Sequence, residues 1–111
     1  MERIVFEVQG SAADPYQVAF SKANSENMTA TCTCVAGTKG IYCKHRIGIL
    51  KGEKRGIVSG NQADVDRIVE WVKGTDIEKA LSEIAECEDA LTLAEAKLAK
   101  AKKALAKSMK D

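Results

Sequence analysis

One histidine, one proline and five aromatic side chains are all that this 111-residue chain holds of those residue types. So few aromatics give little to stack exposed bases on, and near the basic residues described below Tyr42 stands alone. No run approaches the ~18 apolar residues of a membrane helix, so no membrane partner is expected. The opening MERIVFEVQG has neither a long apolar run nor a small-residue cleavage site. It does not read as a secretory signal, and a cytoplasmic protein (nuclear in a eukaryote) is expected. Charge of one sign is also missing. The net charge of +1 argues against a globally basic nucleic-acid binder, while leaving room for a local patch. With 45% hydrophobic and 30% charged residues, the chain is an ordinary folded domain with limited apolar area for a core.

What is present is concentrated. Cys32, Cys34, Cys43 and His45 place three of the four cysteines and the only histidine within fourteen residues. Upstream the sequence alternates. Ile4, Phe6 and Val8 share one face of a first strand, and Tyr16, Val18 and Phe20 one face of a second, with a turn at GSAADP between them. Met28, Ala30, Cys32 and Cys34 fall on one face of a third. The expected arrangement is an antiparallel meander whose last strand delivers two cysteines facing a common point. Gly37 and Gly40 then let the chain reverse and bring Cys43 and His45 opposite. Ile47, Ile49 and Leu50 suggest a short helix closed by Gly52, although Gly48 sits inside it.

Thiols in a reducing compartment more often hold metal than form disulfides, and the chain has no C-x-x-C to serve as a redox dithiol. Three thiolates and an imidazole make a tetrahedral set suited to Zn2+, one per chain, and four protein ligands leave no open position for substrate water. Simple burial of the cysteines as small hydrophobes is the plainer alternative. The formal charge of the centre is −1, with Lys39, Lys44 and Arg46 nearby to offset it. Zinc is expected to supply part of the folding free energy, on the order of 10 kcal/mol, so its removal should unfold at least the sheet and reversal.

The pattern C-x-C, eight residues, C-x-H resembles the SWIM zinc finger, over roughly residues 16–52. In that family the pattern follows a short β-sheet, and a CKH sequence leads into an apolar helix. Arg46 stands where the family usually has an apolar residue. The resemblance places zinc on Cys32, Cys34, Cys43 and His45. It also implies binding to DNA or protein, since the family occurs in transposases, chromatin-remodelling ATPases, recombination-associated proteins and a signalling kinase.

Beyond the finger, residues 53–60 read as a flexible basic loop. Lys39, Lys44, Arg46, Lys51, Lys54 and Arg55 could follow a phosphate backbone, or simply form a solvated face. An amphipathic helix is expected over 61–74, with Asn61 as cap and Val65, Ile68, Val69 and Val72 facing the core. Trp71 flanks that stripe. A long helix over 75–111 opens with Thr75 and Glu78 at capping-box spacing. Ile77, Ile84, Leu91, Leu98 and Leu105 repeat every seven residues, followed three positions on by Ala80, Cys87, Ala94 and Ala101. Residues 76–95 carry seven acids and one lysine, and 97–110 carry six lysines and no acid. An antiparallel homodimer is favoured over a helix folded back on its own sheet.

The expected fold class is therefore α+β: a small three-stranded antiparallel β-sheet with a zinc finger and short helix (1–52), then a helix and a long C-terminal α-helix. With His45 engaged by metal and the carboxylates on an exposed helix, no catalytic constellation remains and no small-molecule substrate is expected. The expected role is non-catalytic: a DNA-associated accessory of a larger machine, or a protein-interaction adaptor or inhibitor acting through the long helix.

Overall fold

The computed structural model describes residues 2–110. It has three strands, β1 (Glu2–Val8), β2 (Tyr16–Lys22) and β3 (Met28–Cys32), followed by four helices, α1 (Val35–Thr38), α2 (Lys44–Leu50), α3 (Val65–Val72) and α4 (Asp76–Ser108). A 3-10 turn over Gln62–Asp64 leads into α3. The fold is α+β, as the alternation and the long uninterrupted helical pattern require.

The strands form an antiparallel meander in the order β1-β2-β3. Phe6 faces Val18, and Val18 faces Cys32, so one row of side chains crosses the whole sheet. Ile4, Phe6, Val8, Val18, Phe20 and Met28 are all buried. Phe6 and Phe20 meet edge to face with ring centroids 5.9 Å apart. Burying each such ring is worth roughly 1.5–3 kcal/mol. The opposite face is mostly polar, with Arg3, Glu7 and Gln17 exposed beside Val5.

The segment expected as a flexible loop is tied down. Val8 forms a bridge with Ile57, the Gln9 amide donates to the Gly56 carbonyl at 2.8 Å, and the Val58 amide donates to the Glu7 carbonyl at 2.8 Å. Ser59 Oγ accepts from the Glu7 amide, and Asn61 Nδ2 donates to the Val5 carbonyl. These bonds cover the edge of β1 that would otherwise present unpaired backbone groups. Asn61 therefore does not cap a helix with its side chain, and regular α-helix begins only at Val65.

Val65, Ile68, Trp71 and Val72 of α3 are buried, so Trp71 belongs to the core. Lys22 Nζ donates to the Trp71 carbonyl, and Arg67 lies over the indole at 5.7 Å. The chain leaves α3 through Gly74, whose φ of +82° favours glycine. Thr75 and Glu78 do not form the expected reciprocal box. The Thr75 hydroxyl donates back to the Val72 carbonyl at 2.6 Å, and Glu78 Oε1 accepts from the Gly74 amide.

The described residues divide into two compact units after Glu78. The first contains the sheet, α1 to α3 and the opening turn of α4. The second is the remainder of α4, rich in alanine, leucine, glutamate and lysine, which are strong helix formers. No described helix is long and apolar enough to cross a membrane.

Candidate metal centre

Three elements converge on one point. Cys32 ends β3, where pairing with Val18 fixes its position. Cys34 is the extended N-cap residue of α1 (φ −66°, ψ 166°), and its Sγ accepts the Gly37 amide at 3.2 Å. Cys43 and His45 stand at the entrance of α2, with Cys43 at the cap position. The turn between the pairs depends on two glycines for different reasons. Gly40 adopts φ +71°. Gly37 lies against the first ligand, and a Cβ there would sit 2.3 Å from the Cys32 carbonyl oxygen and 2.7 Å from the Cys32 Cβ.

The four ligand atoms lie within 4.8 Å of one another. Cys34 and Cys43 Sγ are 3.3 Å apart, and His45 Nδ1 is 3.8 Å from Cys32 Sγ and 3.6 Å from Cys43 Sγ. A tetrahedral zinc with Zn–S of about 2.3 Å and Zn–N of about 2.0–2.1 Å has ligand edges of about 3.5–3.8 Å. The spacing and the soft donor set fit zinc. All three sulfurs are buried and none forms a disulfide.

Burial pushes the Cys32 thiol up to about 12. The Cys34 backbone amide offsets this only in part, and the neighbouring Cys34 and Cys43 sulfurs reinforce it. Burial acts on Cys43 in the same direction. There, hydrogen bonds from the Arg46 backbone amide and from Cys34, His45 and Cys32 outweigh it and bring the thiol down to about 6. One thiolate is thus available at neutral pH, whereas Cys32 yields its proton only when a cation takes its place.

His45 is held by residues that the motif does not contain. The Tyr16 ring packs on the imidazole with centroids 4.9 Å apart. Gly10 leaves room for both rings, since a Cβ there would meet Tyr16 at 2.5 Å and His45 Nε2 at 3.3 Å. With Nδ1 bound to a metal, Nε2 would carry the ring's proton. His45 lines a hollow shared with Lys44, Glu53 and Arg55. Tyr16 was legible only as a strand residue and Gly10 only as part of a turn.

The basic side chains divide by role. Lys39, Lys44, Lys51, Lys54 and Arg55 are exposed. Lys54 pairs with Asp66 across 3.6 Å at the surface. Arg46 turns inward, with its guanidinium donating to the carbonyls of Ala30 and Ile41. It clamps β3 to the reversal, which explains how a cation is accommodated directly after the ligand histidine.

The heptad residues also divide. Ile77 lines a hollow with Ala30, Ile41, Tyr42 and Leu50, inside the first unit. Ile84 is half-buried. Ala80, Cys87, Leu91, Ala94, Leu98, Ala101 and Leu105 are exposed.

Residues 14–51 match the family model of the SWIM zinc finger, a third of the chain with all four ligands inside it. No curated protein and no solved structure matches the chain. The match and the converging ligands make this segment a zinc-binding domain.

Proposed function

We propose that this zinc-binding SWIM domain is a non-catalytic DNA-binding module, loaded with one structural zinc per chain and acting as an accessory to a larger assembly. The observation that carries the reading is the outward display of Lys39, Lys44, Lys51, Lys54 and Arg55 on the finger and the segment after it. Tyr42, 61% exposed, lies between the first two in sequence. Exposed cations of this kind neutralise phosphates and release counterions, and they need no base contact to do so. A centre with four protein ligands has no place for a substrate or a reactive water, which supports a structural metal. Three closely set free thiols suit a reducing compartment, cytoplasmic or nuclear.

The test is fluorescence anisotropy of the zinc-loaded chain with a labelled DNA duplex across a salt series. Four phosphate contacts give a slope near −0.9 per contact, so affinity should fall roughly 100-fold between about 50 and 200 mM salt. Changing Lys39, Lys44, Lys54 and Arg55 together to alanine should abolish binding with zinc content unchanged. Salt-independent affinity, or full affinity in the quadruple variant, would remove the DNA reading and favour a protein partner.

A further inference from the structure

We propose that α4 pairs with α4 of a second copy of this chain, antiparallel and in one self-complementary register. Leu91, Leu98 and Leu105 are 59%, 55% and 61% exposed and lie seven residues apart, so they form a stripe along one helix face. With Ala80, Ile84, Cys87, Ala94 and Ala101 the seam spans nearly four heptads, enough for a coiled coil.

Two independent features choose the occupant. The first is size. The seam alternates a large residue with a small one. In a parallel pair each layer holds two copies of the same residue. Leucine layers would alternate with alanine layers, and the small ones would be left underfilled. In an antiparallel pair the two heptad positions face each other, so every layer joins one large and one small side chain. The register that sets Leu91 against Ala94 also sets Cys87 against Leu98, Ile84 against Ala101 and Ala80 against Leu105. The seam then maps onto itself under two-fold symmetry with no position left over. The next layer would set Ile77 against polar Ser108, and Ile77 already lies in its hollow beside Ala30, Ile41 and Leu50.

The second feature is charge. In the same register the six acids between Asp76 and Asp89 run alongside residues 96–109, which carry five lysines and no acid. A parallel pair would set acid against acid and lysine against lysine. An unrelated partner helix would need to reproduce both the size alternation and the charge reversal, whereas a second copy supplies them by symmetry.

This inference is independent of the DNA reading and is tested on the zinc-loaded full chain. Light scattering after gel filtration at about 50 μM should report twice the 12.0 kDa chain mass. Mild oxidation should leave the wild-type dimer uncrosslinked, because the two Cys87 residues are offset by eleven positions, about 16 Å along the axis. In Leu98→Cys, the introduced thiol lies opposite Cys87 of the second copy, and oxidation should give a covalent dimer. Leu91→Glu with Leu98→Glu changes only exposed residues, so it should yield a folded, zinc-loaded monomer. A wild-type monomer at this concentration would overturn the proposal. So would a wild-type crosslink through Cys87, which would report parallel pairing, or a double variant that remains dimeric.

Discussion

Replacing Gly37 with alanine should damage the metal centre without touching a ligand. The added Cβ would lie 2.3 Å from the Cys32 carbonyl oxygen, 2.7 Å from the Cys32 Cβ and 2.8 Å from the Cys32 carbonyl carbon. Even a tight 3.0 Å contact requires the chain to move ~0.7 Å, several times the roughly 0.2 Å tolerance of a zinc–ligand distance. Forcing an extra methyl into packed structure costs about 1–3 kcal/mol. The same movement disturbs the Gly37 amide bond to Cys34 Sγ, and a hydrogen bond to a charged acceptor is worth about 1.5–3 kcal/mol. At about 1.4 kcal/mol per decade, zinc affinity should fall roughly 100-fold. The control is Gly48→Ala. There the nearest atom to the Cβ is Glu53 Oε2, the far end of a flexible side chain, at 2.7 Å. Alanine inside α2 also gains about 0.5–1 kcal/mol of helix stability. Competition for zinc against a chromophoric chelator would measure both variants. Equal affinities for the two would refute the argument that the reversal is shaped by its approach to Cys32.

Other expectations follow from the same geometry. Cys43→Ser should abolish stoichiometric zinc binding, and chelation of the wild type should expose Trp71 to solvent; tryptophan fluorescence reports the latter. Because Cys32 is held near 12, its proton is displaced at every pH from about 6.5 to 8.5, so apparent zinc affinity should rise at least roughly tenfold per pH unit. Cys43, near 6, is already a thiolate over most of that range. Calorimetry in buffers of different ionisation enthalpy at pH 7.5 should therefore count fewer than three protons released. Arg46→Ala should lower the melting temperature of the zinc-loaded chain by several degrees while leaving the salt slope of any DNA binding unchanged.

The strands and ligands were legible because both rest on local spacing. Ile4, Phe6 and Val8 announce their shared face by alternation; Cys34 was expected on the same strand face as Cys32, but β3 ends at Cys32 and Cys34 reaches the site as the cap of α1. The long helix was equally plain, since neither glycine nor proline interrupts it from Asp76 to Lys110. What spacing could not reveal are pairings between distant parts of the chain. The bridge from Val8 to Ile57 joins residues 49 positions apart, and the glycine-spaced segment around it reads as a loop in isolation. Asn61 was a sound cap by type, but the Val5 carbonyl on the β1 edge offered its side chain another partner. Tyr16 reads as one more alternating residue until α2 brings His45 beneath its ring.

Arg46 shows why a count of basic residues overstates the exposed charge of a segment. From sequence it adds one charge to a cluster of six. In the structure its guanidinium spans from the Ala30 carbonyl on β3 to the Ile41 carbonyl on the reversal, one residue after the ligand histidine. The guanidinium therefore ties together the two segments that hold the ligands. An apolar residue could supply the packing at this position but neither the charge nor the paired hydrogen bonds. Of the six basic residues in the cluster, Lys39, Lys44, Lys51, Lys54 and Arg55 are exposed and Arg46 alone is partly buried.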